Sequence, residues 1–126
     1  MSSQTNPITW FEIYVEDLER AKAFYELVFH YSLIPEKTDG SFEAYRFPGA
    51  MPGNGAMGTL IKHPMRKPSQ EGTLVYFHCD DCALQVELAK KNGGHIFKPK
   101  WSIGQDGYIA IIGDTEGNAI GLHSFK

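Results

Sequence analysis

Three residues of this chain have side chains suited to chemistry and lie on alternating stretches: Glu12, His78 and His123. A carboxylate and two imidazoles are a plausible ligand set for a divalent metal ion. The same groups could also serve as general acid and base. Each has a plainer role as well. Glu12 could accept a hydrogen bond from a buried tyrosine, His78 could end a strand near water, and His123, near the end of the sequence, could be exposed. Aromatic residues accompany them: Trp10 and Tyr14 around Glu12, Tyr76 beside His78, and Trp101 further on, with Tyr108 and Tyr45 as weaker additions. Such side chains suit the walls of a small-molecule pocket, with Glu12 meeting a cationic or hydrogen-bonding ligand. Alternatively, Trp10 and Tyr14 fill a second core layer and Trp101 packs on a sheet rim.

The elements that must position these residues are legible. Residues 8–15 alternate as a strand, with Ile8, Trp10, Glu12 and Tyr14 on one face and Thr9, Phe11, Ile13 and Val15 on the other. The second set is the more uniformly apolar and should pack inward. Asp17 is a good N-cap for a helix over 18–29, whose buried stripe is Leu18, Ala21, Phe24, Tyr25 and Val28. Strands follow over 32–36, 42–47 and 56–62, with Asp39-Gly40 as a turn. Residues 48–55 are rich in Gly and Pro and read as a flexible rim. Residues 63–72 read as a connector.

The order then repeats. A strand over 73–79, a helix over 82–92 stopped by Gly93-Gly94, and strands over 95–98, 107–112 and 118–124 are expected. Trp101 falls in a loop over 99–107, and residues 114–118 form a tight turn. In register, Trp10 falls on Leu74, Glu12 on Tyr76, Tyr14 on His78 and Asp17 on Asp81. Each half is strand–helix–strand–strand–strand, residues 6–62 and 73–126 within a single domain of 1–126. The fold class is α+β, two βαβββ modules whose sheets enclose a cleft.

Composition narrows the function. The 126 residues suffice for one core, and eight Phe, six Tyr and two Trp speak against disorder beyond the first five residues. The formal charge of −3 and the small basic patch of Lys62, Arg66 and Lys67 argue against nucleic acid as a partner. No apolar run is long enough for a membrane span, and the opening MSSQTNP lacks a signal region, so a cytoplasmic protein is expected. Cys79 and Cys82 should then be reduced and partly buried. Two intervening aspartates oppose a reactive thiolate, and no second cysteine pair completes a zinc site.

The stretches FEIYVEDLERAKAFYE, CDDCALQVELAKKNGG and YIAIIGDTEGNAIGLHS (11–26, 79–94 and 108–124) carry a family likeness. On these residues the chain resembles the vicinal oxygen chelate superfamily, which includes glyoxalase I, extradiol dioxygenases and the fosfomycin and bleomycin resistance proteins. The resemblance implies paired βαβββ modules, a homodimer as partner, and a cleft completed in some members by the second subunit. Metal-dependent members resembling this chain hold an ion with His and Glu from four strands. Carried over, those positions fall on Trp10, Leu74 and Gly121, and the stretch 56–62 has no Glu, Asp or His. Their side chains cannot coordinate a metal, so no metal or other cofactor is expected at the usual site. A shifted site at Glu12, His78 and His123 is the alternative.

Two functions stay open. One is a metal-free small-molecule binder with walls from Trp10, Tyr14, Tyr76, Trp101 and Tyr108. The other is a lyase, isomerase or dioxygenase-type enzyme using Glu12, His78 and His123. An interaction protein with a self-filled cleft is a third possibility.

Overall fold

The computed structural model describes residues 6–50 and 55–126. Strand β1 (Trp10–Tyr14) leads into helix α1 (Leu18–Phe29), followed by β2 (Ile34–Pro35), β3 (Glu43–Arg46) and β4 (Met57–Lys62). The second half repeats this as β5 (Val75–His78), α2 (Cys82–Lys91), β6 (His95–Ser102), β7 (Tyr108–Gly113) and β8 (Ala119–Ser124). Each half makes its own four-stranded sheet, in the orders β1-β4-β3-β2 and β5-β8-β7-β6. β1 runs parallel to β4 and β5 parallel to β8, so β1 and β5 are equivalent edges.

Local chemistry accounts for the element ends. Asp17 caps α1 by accepting from the Arg20 N–H at 3.0 Å, and Asp81 caps α2 by accepting from the Ala83 N–H at 3.0 Å. The left-handed residue after α1 is His30, whose N–H donates to the Glu26 carbonyl. After α2 it is Gly93, φ 91°. β2 is shorter than expected, covering only Ile34–Pro35, although the Glu36 N–H still donates to the Ala44 carbonyl at 3.0 Å. β6 is longer: it continues through Pro99 to Ser102, and register shifts on both sides of Lys98 absorb the proline. Trp101 therefore lies in a strand opposite Ile109, not in the expected loop.

Both helices press on one shared core. Ile13 and Val15 of β1, Phe24, Tyr25 and Val28 of α1, and Leu60 of β4 join Phe77, Cys79, Val86, Ile112 and Leu122 of the second half. Phe77 contacts Phe11, Tyr25, Phe29 and Phe47 ring to ring, at centroid separations of 4.7–5.9 Å. The alternation expected for residues 8–15 holds, with Ile13 and Val15 buried and Trp10 and Glu12 exposed.

The β7–β8 turn ties the halves together and fixes β1. The Glu116 carboxylate accepts from the backbone N–H groups of Glu16 and Asp17, at 2.9 and 2.8 Å, and from Arg20 at 2.6 and 3.0 Å. Asp114 accepts from the Tyr25 hydroxyl at 2.7 Å. The Asn118 amide donates to the Tyr14 carbonyl at 2.8 Å, and its oxygen accepts from the Ser69 N–H at 2.9 Å. DTEGN is thus a clamp as well as a turn. Among the described residues no helix is long and apolar enough to cross a membrane.

Candidate functional site

A cavity of about 720 Å³ lies between the edge strands β1 and β5. Alternation in β1 turns Trp10, Glu12 and Tyr14 toward it, and β5 with the residue before it brings Leu74 and Tyr76. Residues Lys67, Ser69 and Glu71 of the connector form a further wall. Trp10 is 39 % exposed and Tyr76 46 % exposed, although most other aromatic groups of the chain are packed away. The two half-open aromatic side chains face the same space from opposite halves.

Glu12 is exposed, and its Oε1 accepts from the Tyr14 hydroxyl at 2.7 Å. That bond, then burial, raises the Tyr14 pKa, with nearby Arg66 opposing. Tyr14 therefore stays a neutral donor that orients the carboxylate. The partner of Glu12 is this tyrosine and not a histidine.

His78 and His123 face a second recess of about 390 Å³, with Tyr76, Ile103 and Ile109. The two histidines are register partners on β5 and β8. His123 Nε2 lies 2.6 Å from the Asp106 carbonyl, so that nitrogen carries the proton and donates. Its ring packs edge-on against Phe125 at 4.7 Å. Tyr76 lines both this recess and the cavity that holds Glu12, whereas the two histidines line only the recess. Among the described residues no three His, Cys, Asp or Glu side chains gather in a way that could hold a metal ion. The structure therefore does not bring Glu12, His78 and His123 together as one ligand set.

Two of the positions implied by the family likeness share a cavity. Trp10 and Leu74 line the same cavity. Gly121 lies directly beneath the Tyr76 ring, which a Cβ at that position would strike. No side chain at these three positions offers a metal-binding oxygen or nitrogen, and β4 (MGTLIK) offers no carboxylate or imidazole. Where the resemblance would put a carboxylate at position 121, the Tyr76 ring fills the space.

Two expected wall residues lie elsewhere. Trp101, Ile109, His123 and His78 are successive register partners across the second sheet. Trp101 does not line the larger cavity; Lys98 Nζ sits 4.4 Å from its ring centroid. Tyr108 packs against the core instead, with Lys100 Nζ 4.6 Å from its ring centroid. Tyr45 also packs inward, and its hydroxyl donates to Glu19 at 2.6 Å. Of the rim over 48–55, residues 51–54 lie outside the described residues. The connector wall was missed because connectors show no periodicity.

Cys79 and Cys82 are free and buried. Burial first, then the neighbouring Cys82, pushes the Cys79 thiol up to about 12, so it is no nucleophile.

Residues 7–42, under a third of the chain, match the family model for the bleomycin resistance protein-like N-terminal region. No curated protein matches the chain. Solved structures do. A glyoxalase/bleomycin resistance protein/dioxygenase family enzyme from Burkholderia phytofirmans PsJN is 18% identical with a TM-score of 0.69, over 94% of this chain and 98% of that one. A glyoxylase/bleomycin resistance protein/dioxygenase domain from Frankia sp. EAN1pec is 14% identical with a TM-score of 0.72, over 98% and 100%. Glyoxalase I from Zea mays is 19% identical with a TM-score of 0.67, over 91% of this chain but 44% of that one. The likeness is one of fold: this chain has the α+β architecture of the glyoxalase, bleomycin-resistance and dioxygenase proteins, as the sequence resemblance implied.

Proposed function

We propose that this protein binds a small aromatic molecule between β1 and β5, with no metal in the usual site. Trp10, Tyr14 and Tyr76 form the walls, and Glu12 meets a cationic or hydrogen-bond-donating group. One observation carries this reading: two large aromatic side chains, Trp10 and Tyr76, stay half-open on opposite walls of a 720 Å³ cavity. Exposed apolar groups that face each other across a cleft mark ligand or partner surfaces. The loss of donors at Trp10, Leu74 and Gly121 supports binding without the ion. Catalysis by Glu12 with a histidine is disfavoured, since His78 and His123 line a different recess and the hydrogen-bond partner of Glu12 is Tyr14.

The assembly we propose is a cytoplasmic homodimer. Among the described residues both edge strands lack a neighbour on one side, and Ile8 stays 62 % exposed beside β1. Light scattering across a dilution series tests it; a monomer at every concentration removes it.

The binding test is a thermal-shift screen of aromatic cations against the wild type and Glu12→Ala. A hit whose affinity falls roughly tenfold in Glu12→Ala, about 1.4 kcal/mol, supports the reading. Hits indifferent to both Glu12→Ala and Trp10→Ala would overturn it.

A further inference from the structure

A polar row crosses the first sheet. Glu12 of β1 is the register partner of Thr59 on β4, and Thr59 is the partner of Arg46 on β3. Register partners share a face of the sheet, so the three side chains stand on the face that carries Glu12. The flanking rows are apolar or aromatic: Trp10 with Met57 on one side, Tyr14 with Ile61 and Ala44 on the other.

Two atoms of this row are orphans. Thr59 is only 2 % exposed, yet among the described residues its Oγ1 has no hydrogen-bond partner. The buried Nε of Arg46 has none either. Nor does Arg46 take part in an ion pair among the described residues. The only other such side-chain atom described is Gln85 Oε1, on α2. Two of the three therefore fall on adjacent strands in a single row. Buried polar groups are nearly always satisfied, and an exception calls for a missing partner.

The chemistry of the missing partner follows from the donors. Arg46 Nε–H can only donate, and the Thr59 hydroxyl can donate beside it. One group that accepts from both is a carboxylate or a similar oxyanion, the group for which the planar guanidinium is suited. Two strands away stands Glu12, which prefers a cation. Strands are spaced about 4.8 Å apart, so Arg46 and Glu12 lie about 10 Å apart across the sheet.

We propose that Thr59 and Arg46 are the oxyanion-binding end of the cleft. Its ligand is then an amphoteric aromatic molecule, with its anionic group at Arg46 and its cationic group at Glu12. This inference rests on the cleft being a binding site. Thr59 is buried, Arg46 is half-buried with a buried Nε, and neither lines the cavity as it stands. Binding must therefore open the face over them and give both orphan atoms a partner.

Three probes sharing an indole separate the ends: indole-3-propionate, tryptamine and tryptophan, titrated calorimetrically. The proteins are the wild type, Thr59→Val, Arg46→Met and Glu12→Gln. Thr59→Val removes only the orphan hydroxyl, so its Tm should equal or exceed that of the wild type. Indole-3-propionate should bind the wild type, lose at least about tenfold in Thr59→Val and Arg46→Met, and be unchanged in Glu12→Gln. Tryptamine should show the reverse pattern, and tryptophan should respond to all three variants. If tryptamine binds and indole-3-propionate does not, the orphan atoms serve an ordered water only; this inference falls and the binding cleft survives. Equal binding of indole-3-propionate to wild type and Thr59→Val would also overturn it. If no probe binds, both proposals fall together.

Discussion

Asp114 and Glu116 sit side by side in the clamp, yet their surroundings push them in opposite directions. Burial raises the Asp114 carboxyl despite its bonds to Asn118, Tyr25 and Glu116. Glu116 is also raised by burial, but Arg20, the Asp17 N–H, Thr115 and the Glu16 N–H outweigh it and hold it below the usual carboxylate range. The signs for stability differ accordingly. Glu116 contributes stability above its unfolded pKa, about 4.3, and that contribution is lost as pH falls through the lower folded value. Asp114, with a raised folded value, contributes most at low pH and less as pH rises through that value. Glu116→Gln should therefore flatten the acid-side fall of Tm between about pH 5 and pH 3. A Tm profile with the wild-type slope would show that Glu116 plays no such part. Tyr25→Phe removes one donor from buried Asp114 and should cost about 1–3 kcal/mol in urea unfolding.

At the scale of elements, the parts with local signals were legible. Helix α1 matched its expected bounds, because Asp17 marks the start and the Leu18–Val28 stripe fixes the buried face. The outward set of β1 was equally clear, since period-two alternation needs no distant partner. Trp101 was misplaced because Pro99 reads as a strand breaker, whereas a bulged edge strand tolerates it. Thr59 and Arg46 gave no signal at all: they become neighbours only once β3 and β4 pair. Nor could the Tyr76 ring over Gly121 be read from either strand alone. That contact has a consequence for Gly121→Glu, the substitution that would place a carboxylate where the resemblance implies one. On its own it should destabilise by about 1–3 kcal/mol through overpacking. Tyr76→Ala should relieve most of that cost, and a double-mutant cycle measures the coupling. Additive effects would mean that the ring does not occupy the corner.

At the scale of the whole molecule, two halves of like topology share one core and are joined by the β7–β8 turn, leaving a cavity along their free edges. Asn118 is the point where this architecture meets the site, because its amide holds the Tyr14 carbonyl and its oxygen holds the connector at Ser69. Asn118→Ala should cost about 1–3 kcal/mol and speed amide exchange around Tyr14 and Ser69 more than in α2. Uniform acceleration would mean that the clamp stabilises without positioning the cleft.

The most direct test of the cleft is an NMR titration of the isotope-labelled protein with an aromatic cation such as tryptamine. Shifts should concentrate on Trp10, Glu12, Tyr14, Leu74, Tyr76 and the connector around Ser69, and they should collapse in Trp10→Ala. Shifts confined to other surfaces, or none at millimolar probe, would contradict a binding cleft between β1 and β5.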